Sequence, residues 1–149
     1  YDLLTQRLHG PFWTFTDAGA TASYVAEDLP VEAVKNFMKE SASSLRWAKE
    51  NSGLDVELNG NTYKFPTDVN NRLVLQQSIT LNNSLNWKLG RDNWLELSVE
   101  DTTTVLNSIL QHVQSCYDWE KTINDQINSS SSLDQLRAII LSIKTSMAE

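Results

Sequence analysis

Apolar residues recur at helical spacing in four stretches of the chain. The longest stretch keeps one apolar stripe from Val99 through Leu106 to Ile127, which amounts to about eight helical turns. Ser98 stands directly before this stripe, where a hydroxyl side chain can cap the first turn. The pattern therefore predicts a helix over Ser98–Asn128 that lies at the centre of the hydrophobic core.

Three further helices are bounded by residues that start or stop a helix. Pro30 suits a first turn and Gly53 a C-terminal cap, so a helix is expected between them. The remaining two are a short helix from Asp68 to about Leu81 and a last helix that opens with the capping box Ser132 and Gln135.

Three stretches between the helices alternate in the manner of β-hairpins. The first runs over Phe12–Val25 and turns at Asp17 to Gly19. The second turns at Asn59-Gly60, a pair that favours the positive φ angles of a two-residue turn. The third extends over Leu85–Leu97. The fold class expected is α+β, with about four helices, three short β-hairpins and the long helix Ser98–Asn128 central to the core.

No repeat of fixed period and no linker of domain length interrupts this order of elements. We therefore expect residues 1–29 to form an N-terminal hairpin or attachment segment and residues 30–149 to form one compact α+β domain. The length of 149 residues allows such a domain to bury a core without a disulfide or a metal.

Composition narrows the classes of partner. The net charge is −7 and no block of Lys and Arg is present, which argues against nucleic acid and against anionic membranes as partners. The single cysteine, Cys116, permits no internal disulfide.

Residues that could carry catalysis or bind a metal are few. His112 and Cys116 share a helix face, but a metal site needs further ligands, and His9 falls in a start that is expected to be irregular. Cys116 lies in an apolar stripe, where a free cysteine packs as a small hydrophobe. The carboxylates Glu100 and Asp101 stand at a helix start, where they stabilise the helix end. We therefore predict no catalytic residue, no cofactor and no metal, and no enzymatic activity.

The aromatic residues Phe12, Trp13 and Phe15 are the candidate protein-binding residues. They cluster in the first hairpin, with Trp13 and Phe15 on one face, and carry more aromatic surface than one face of a hairpin easily buries. Packing of these side chains in the core is the competing interpretation. A first residue Tyr1 instead of Met also suggests a segment that leads into this hairpin.

The order of the segments resembles a tailed-phage family, a domain of unknown function found in tail, baseplate and tail-fibre-associated proteins. The similar stretch runs from about Pro30 to Ile140. Its markers are Glu32-Ala-Val-Lys35, Arg46, Glu50-Asn-Ser-Gly53, Asn59-Gly60, Thr67-Asp68, Arg72, Trp87-Lys88, Trp94, Leu97, Gln111-His-Val-Gln114, Tyr117-Asp-Trp-Glu120, Ile127 and the ending from Leu133 to Ile140.

The resemblance implies a structural or adaptor protein of the phage tail, made in the host cytoplasm and located in the virion tail. It would attach a fibre or belong to the baseplate, with other tail or fibre proteins as partners and a homo-oligomer possible. The alternatives are a fibre-assembly chaperone that is absent from the mature virion, and a small phage enzyme or host-directed inhibitor. The family has no established catalytic motif, so the resemblance assigns no site residue.

Overall fold

The structure, a computed structural model, describes residues 5–146 and confirms the expected α+β class. Four helices alternate with three two-stranded antiparallel hairpins. The elements are β1 (Gln6–Thr16), β2 (Gly19–Asp28), α1 (Val31–Glu50), β3 (Leu54–Leu58), β4 (Asn61–Phe65), α2 (Val69–Thr80), β5 (Leu85–Lys88), β6 (Trp94–Leu97), α3 (Val99–Ser129) and α4 (Leu133–Ser146). The helix predicted over Ser98–Asn128 is α3. None of the helices described is both long and apolar enough to cross a bilayer.

Short polar signals set the ends of the elements. Ser98 and Asp101 form a reciprocal cap on α3, since the Asp101 N–H donates to Ser98 Oγ at 3.0 Å and the Ser98 N–H donates to Asp101 Oδ2 at 3.2 Å. The turn between β3 and β4 has φ of 52° at Asn59 and 81° at Gly60. These are the positive angles for which the Asn-Gly pair is suited.

The contacts divide the chain into two compact units. The unit over Ser43–Thr122 holds a continuous cluster of buried apolar side chains from β3, β4, α2, β5, β6 and α3. Its members are Val56, Leu58, Phe65, Leu75, Trp87, Leu97, Val105, Leu106, Ile109 and Val113. The first half of α3 supplies four of these side chains, in agreement with its predicted central place.

The other unit takes the chain as far as Ala42 and again from Ile123. Its buried apolar side chains come from α1, α3 and α4, and they are Val34, Met38, Ala42, Ile123, Ile127 and Leu136. Lys35 Nζ on α1 donates to the carbonyl oxygen of Asn128 at 3.5 Å. The hairpin β1–β2 belongs to this unit as well.

The structure differs from the prediction at the first hairpin and on α3. The strand β1 begins at Gln6, so His9 lies within a strand and not in an irregular start. Gly10 also lies inside β1. The apolar stripe of α3 is also narrower than predicted, because Leu110 and Tyr117 are about half exposed.

Candidate protein-binding site

The first hairpin has two chemically different faces. Side chains alternate along a strand, so the even-numbered residues of β2 share one side. Across the ribbon this side is completed by Leu8, Trp13 and Phe15, since Leu8 pairs with Ala26 and the two aromatic residues pair with Ala22 and Ala20. We call this side the apolar face; its members are Leu8, Trp13, Phe15, Ala20, Ala22, Tyr24 and Ala26.

An irregularity in β1 brings these residues to one face. Between His9 and Phe12 the register shifts, because β1 contains one residue more than β2 there. A bulge of this kind reverses the side to which the following residues point. Without it, Trp13 and Phe15 would lie on the side opposite to Leu8.

The bulge depends on a glycine. Gly10 has a φ of 143°, in the region that favours glycine. A Cβ atom at this position would lie 2.8 Å from the carbonyl oxygen of Ser23 and 3.1 Å from Tyr24 Cδ1. Gly10 therefore lets the backbone of β1 pass close to Tyr24.

The large side chains of the apolar face are exposed. The exposed fraction is 58% for Trp13, 77% for Phe15, 58% for Tyr24 and 48% for Leu8. These values argue against packing of the aromatic cluster in the core of this chain, because a core residue would be almost fully covered. The burial pattern of β2 is exposed along its whole length.

The opposite face of the ribbon is more polar, and it carries the third candidate residue, Phe12. Phe12 is 45% exposed and packs edge-on against the ring of His9, with 5.2 Å between the ring centroids. Arg7 and Glu27 pair on this face at 2.9 Å. The hydrogen bond from Arg7 lowers the pKa of the Glu27 carboxyl. The structure thus brings Trp13 and Phe15 together and places Phe12 on the other side.

The base of the hairpin is fixed to α4. Arg137 Nε donates to the buried Thr5 hydroxyl at 3.0 Å, and its Nη2 donates to Asp28 Oδ1 at 3.3 Å. The N–H of Leu29 also donates to the carbonyl oxygen of Thr5 at 2.8 Å. One guanidinium group therefore binds beside the start of β1 and at the end of β2, at the base of the ribbon.

Sequence reasoning missed Leu8 and Tyr24 as members of the site. The Gly10-Pro11 pair hid the first half of β1, because proline is rare inside strands. A usable signal was nevertheless present in β2. Its small and aromatic residues stand at every second position from Ala20 to Ala26, which is the pattern of a one-sided strand.

A second polar arrangement lies in the unit over Ser43–Thr122. Arg46 Nε donates to Glu120 Oε2 at 2.7 Å, and its Nη1 donates to Glu50. Arg72 Nη2 donates to the other oxygen of Glu50 at 3.2 Å. All four side chains are largely buried, so α1, α2 and α3 are joined by a network in which every charge has an opposite partner.

Two neighbours complete this charge network. The guanidinium carbon of Arg46 lies 4.6 Å from the centroid of the Tyr117 ring, a cation–π distance. Burial alone would lower the pKa of Arg46, but the hydrogen bond with Glu120 and the nearby negative charges raise it above its usual value. The Thr67 hydroxyl donates to the carbonyl oxygen of Glu50 and accepts from the Gly53 N–H at 3.2 Å.

Many markers of the resemblance meet in this network, although they are far apart in the sequence. They are Arg46, Glu50, Gly53, Thr67, Arg72, Tyr117 and Glu120. The charged groups among them are paired with one another. These seven markers therefore contribute to contacts that join α1, α2 and α3.

The pair His112 and Cys116 is not arranged as a base and a nucleophile. His112 Nε2 lies 3.0 Å from the carbonyl oxygen of Lys49 and 3.8 Å from Cys116 Sγ. A carbonyl can only accept, so Nε2 carries its proton toward Lys49 and cannot take one from the thiol. Burial also raises the pKa of the Cys116 thiol, which keeps it protonated.

A shallow cleft of about 300 Å³ lies beside this pair. Lys49, Asp55, Lys64 and His112 contribute to its lining. Asp55 and Lys64 are cross-strand partners in β3 and β4, so their charges face each other across the hairpin. Among residues 5–146, no group of three or more His, Cys, Asp or Glu side chains is placed to hold a metal.

Comparison with known proteins gives a family and no activity. The family described as Domain of unknown function (DUF4376) matches residues 33–142. No curated protein and no solved structure shows a significant match. The matched stretch agrees with the one expected from Pro30 to Ile140, and the hairpin β1–β2 precedes it. Since the match covers well over half of the sequence, the chain belongs to the DUF4376 family.

Proposed function

We propose that this chain is a structural or adaptor protein of a bacteriophage tail, attached to a fibre or to the baseplate, and that it acts by binding protein through its first hairpin. The observation that carries the binding role is the exposed apolar face of β1 and β2. Large contiguous apolar patches on soluble proteins mark interaction sites. Trp13 and Tyr24 are of the residue types that dominate the energy of protein interfaces.

The anchoring of the hairpin supports the same role. A binding surface works best when its position is fixed before binding, because less conformational freedom is then lost. Arg137 fixes the base of the ribbon through Thr5 and Asp28. The base of the strand pair that carries the aromatic side chains is therefore held in place before a partner binds.

The tail context is supported by the order of the marker segments, which resembles tail, baseplate and fibre-associated proteins. The charge network of Arg46, Glu50, Arg72 and Glu120 supports a structural protein, because its groups satisfy one another. The His112 and Cys116 geometry likewise supplies no activated nucleophile.

Mass spectrometry of purified phage particles tests this proposal. A structural or adaptor protein is expected in intact virions in a fixed ratio to known tail proteins. The particles should be washed at high salt, so that weakly adsorbed protein is removed. Presence in infected-cell lysate together with absence from washed particles would contradict the structural role and favour the assembly chaperone.

A further inference from the structure

We infer that the partner of the apolar face is a second copy of this chain, with the two ribbons packed face to face. This inference rests on the proposed use of the hairpin as a binding surface, and it names the partner. Three properties of the apolar face support this inference: its area, its shape and its charge.

The area is sufficient for a small stable interface. Full aromatic side chains expose about 150–250 Å² each, so the exposed parts of Trp13, Phe15 and Tyr24, together with Leu8, amount to roughly 500 Å². Two copies would bury at most roughly 1,000 Å² in total, which is near the lower bound of specific interfaces. A dimer of micromolar affinity is the expected result, because area of this size supports only modest binding.

The shape of the apolar face is complementary to the same face of a second copy. At each level along the ribbon one strand carries a large side chain and the other a small one. The pairs are Leu8 with Ala26, Tyr24 with the Gly10-Pro11 bulge, Trp13 with Ala22, and Phe15 with Ala20. A two-fold axis that runs along the strands places β1 of one copy over β2 of the other. Leu8, Trp13 and Phe15 then lie over alanines and Tyr24 lies over the bulge, so the faces interdigitate as packed sheets do.

The apolar face adds little local charge repulsion to that of the whole chain. The whole chain carries −7, and two copies repel each other at long range. None of the seven residues of the apolar face carries a charge at neutral pH. The charged pair Arg7 and Glu27 lies on the opposite face, and Asp28 at the base is paired with Arg137. Contact through this face therefore places no charged side chain within the interface, and the nearest like charges are the two Asp17 carboxylates in the turns at the tips.

Sedimentation equilibrium of the full chain tests the inference. The wild-type protein is expected to form dimers in the micromolar range. The double variant Trp13→Ser with Phe15→Ser should weaken the dimer by at least about 30-fold, because aromatic anchors dominate such interfaces. Both positions are exposed in the monomer, so the variant should fold, and circular dichroism checks this.

The matched control is Phe12→Ser. Phe12 is exposed on the same ribbon but on its opposite face, so this variant should dimerise as the wild type does. Equal weakening by Phe12→Ser, or a wild-type protein that stays monomeric across the micromolar range, overturns the inference.

The substitution Ala22→Leu tests the large-over-small arrangement. It adds apolar surface but fills the space that Trp13 of the other copy would occupy, so dimerisation should weaken by about tenfold or more. Stronger dimerisation would show that the faces do not interdigitate in this way and would overturn the arrangement.

The outcome separates this inference from the proposed function. A monomeric protein that is present in virions, and that loses its place there when Trp13 and Phe15 are replaced, contradicts the second copy as partner and supports the proposed function. A dimer that depends on the apolar face but is absent from particles supports the inference and contradicts the tail role.

Discussion

Single polar side chains fix the ends of the helices. Asp68 precedes α2 and accepts hydrogen bonds from the N–H groups of Asn70 and Asn71, at 3.0 and 3.2 Å. These are donors that the first helical turn would otherwise leave unpaired. The hydrogen bond from the Asn71 side chain, followed by those backbone donors, lowers the pKa of the Asp68 carboxyl.

Replacement of this cap is expected to destabilise the protein in a pH-dependent way. Asp68→Ala should lower the free energy of unfolding at neutral pH by about 1 kcal/mol. A lowered folded-state pKa gives stability above the unfolded pKa and loses it as the pH falls through the folded value. The difference between wild type and variant should therefore shrink below pH 3.8, the ordinary value for this carboxyl.

Urea unfolding at several pH values measures this difference, with Asp68→Asn as the control. Asparagine caps a helix about as well as aspartate but does not titrate. Asp68→Asn should thus keep most of the stability at neutral pH. A difference between wild type and Asp68→Ala that stays constant from neutral to strongly acidic pH would be evidence against the cap.

Replacement of a buried charge is expected to cost more stability than replacement of the helix cap. Glu50→Gln leaves Arg72 without a carboxylate partner and Arg46 with Glu120 alone. Loss of one member of a buried ionic network costs about 3–5 kcal/mol, because the remaining charge stays buried. Glu57→Gln, at an exposed position of β3, should change the stability by less than about 0.5 kcal/mol. Similar unfolding midpoints for the two variants would mean that the network contributes little.

Among the elements, α3 shows how much a local pattern reveals. Its apolar period, its Ser98 cap and its length follow from neighbouring residues, so sequence alone predicted them closely. The exact width of the buried stripe did not follow, because the residues that cover a helix come from elements distant in sequence. Leu110 and Tyr117 fit the period yet remain about half exposed.

Truncation of two adjacent residues tests the core face of α3. Ile109 is fully buried in the central cluster, and Ile109→Ala should cost about 2–5 kcal/mol. Leu110 is its immediate neighbour and is 47% exposed, so Leu110→Ala should cost less than about 1 kcal/mol. Thermal unfolding of both variants gives the comparison. An equal loss of stability in the two variants, or a larger loss for Leu110→Ala, would contradict the core face of α3 described above.

The first hairpin shows the limit of local patterns. The aromatic cluster predicted a hairpin and a candidate site, but only the register showed that Trp13, Phe15 and Tyr24 share a face. The bulge at Gly10 determines which side chains share a face. Its position depends on the pairing of both strands, so one strand's pattern does not reveal it. Phe12 was grouped with Trp13 by adjacency, whereas alternation separates them.

At the scale of the whole molecule, each of the two compact units has its own distinguishing feature. The charges of Arg46, Glu50, Arg72 and Glu120 are paired inside one unit, while large apolar side chains of the other unit are exposed. The network was not predictable from spacing, because its members lie on three helices and meet only in the folded chain. The exposed, anchored apolar face is the observation from which we propose a binding surface.

The most direct test of that central claim is the amount of this chain in purified phage particles when the apolar face is altered. Particles produced with Trp13→Ser and Phe15→Ser should contain at least about tenfold less of the chain than wild-type particles, as expected for loss of interface anchors. Particles produced with Phe12→Ser, whose substitution lies on the opposite face, should contain the wild-type amount. Undiminished incorporation of the folded double variant would contradict the account.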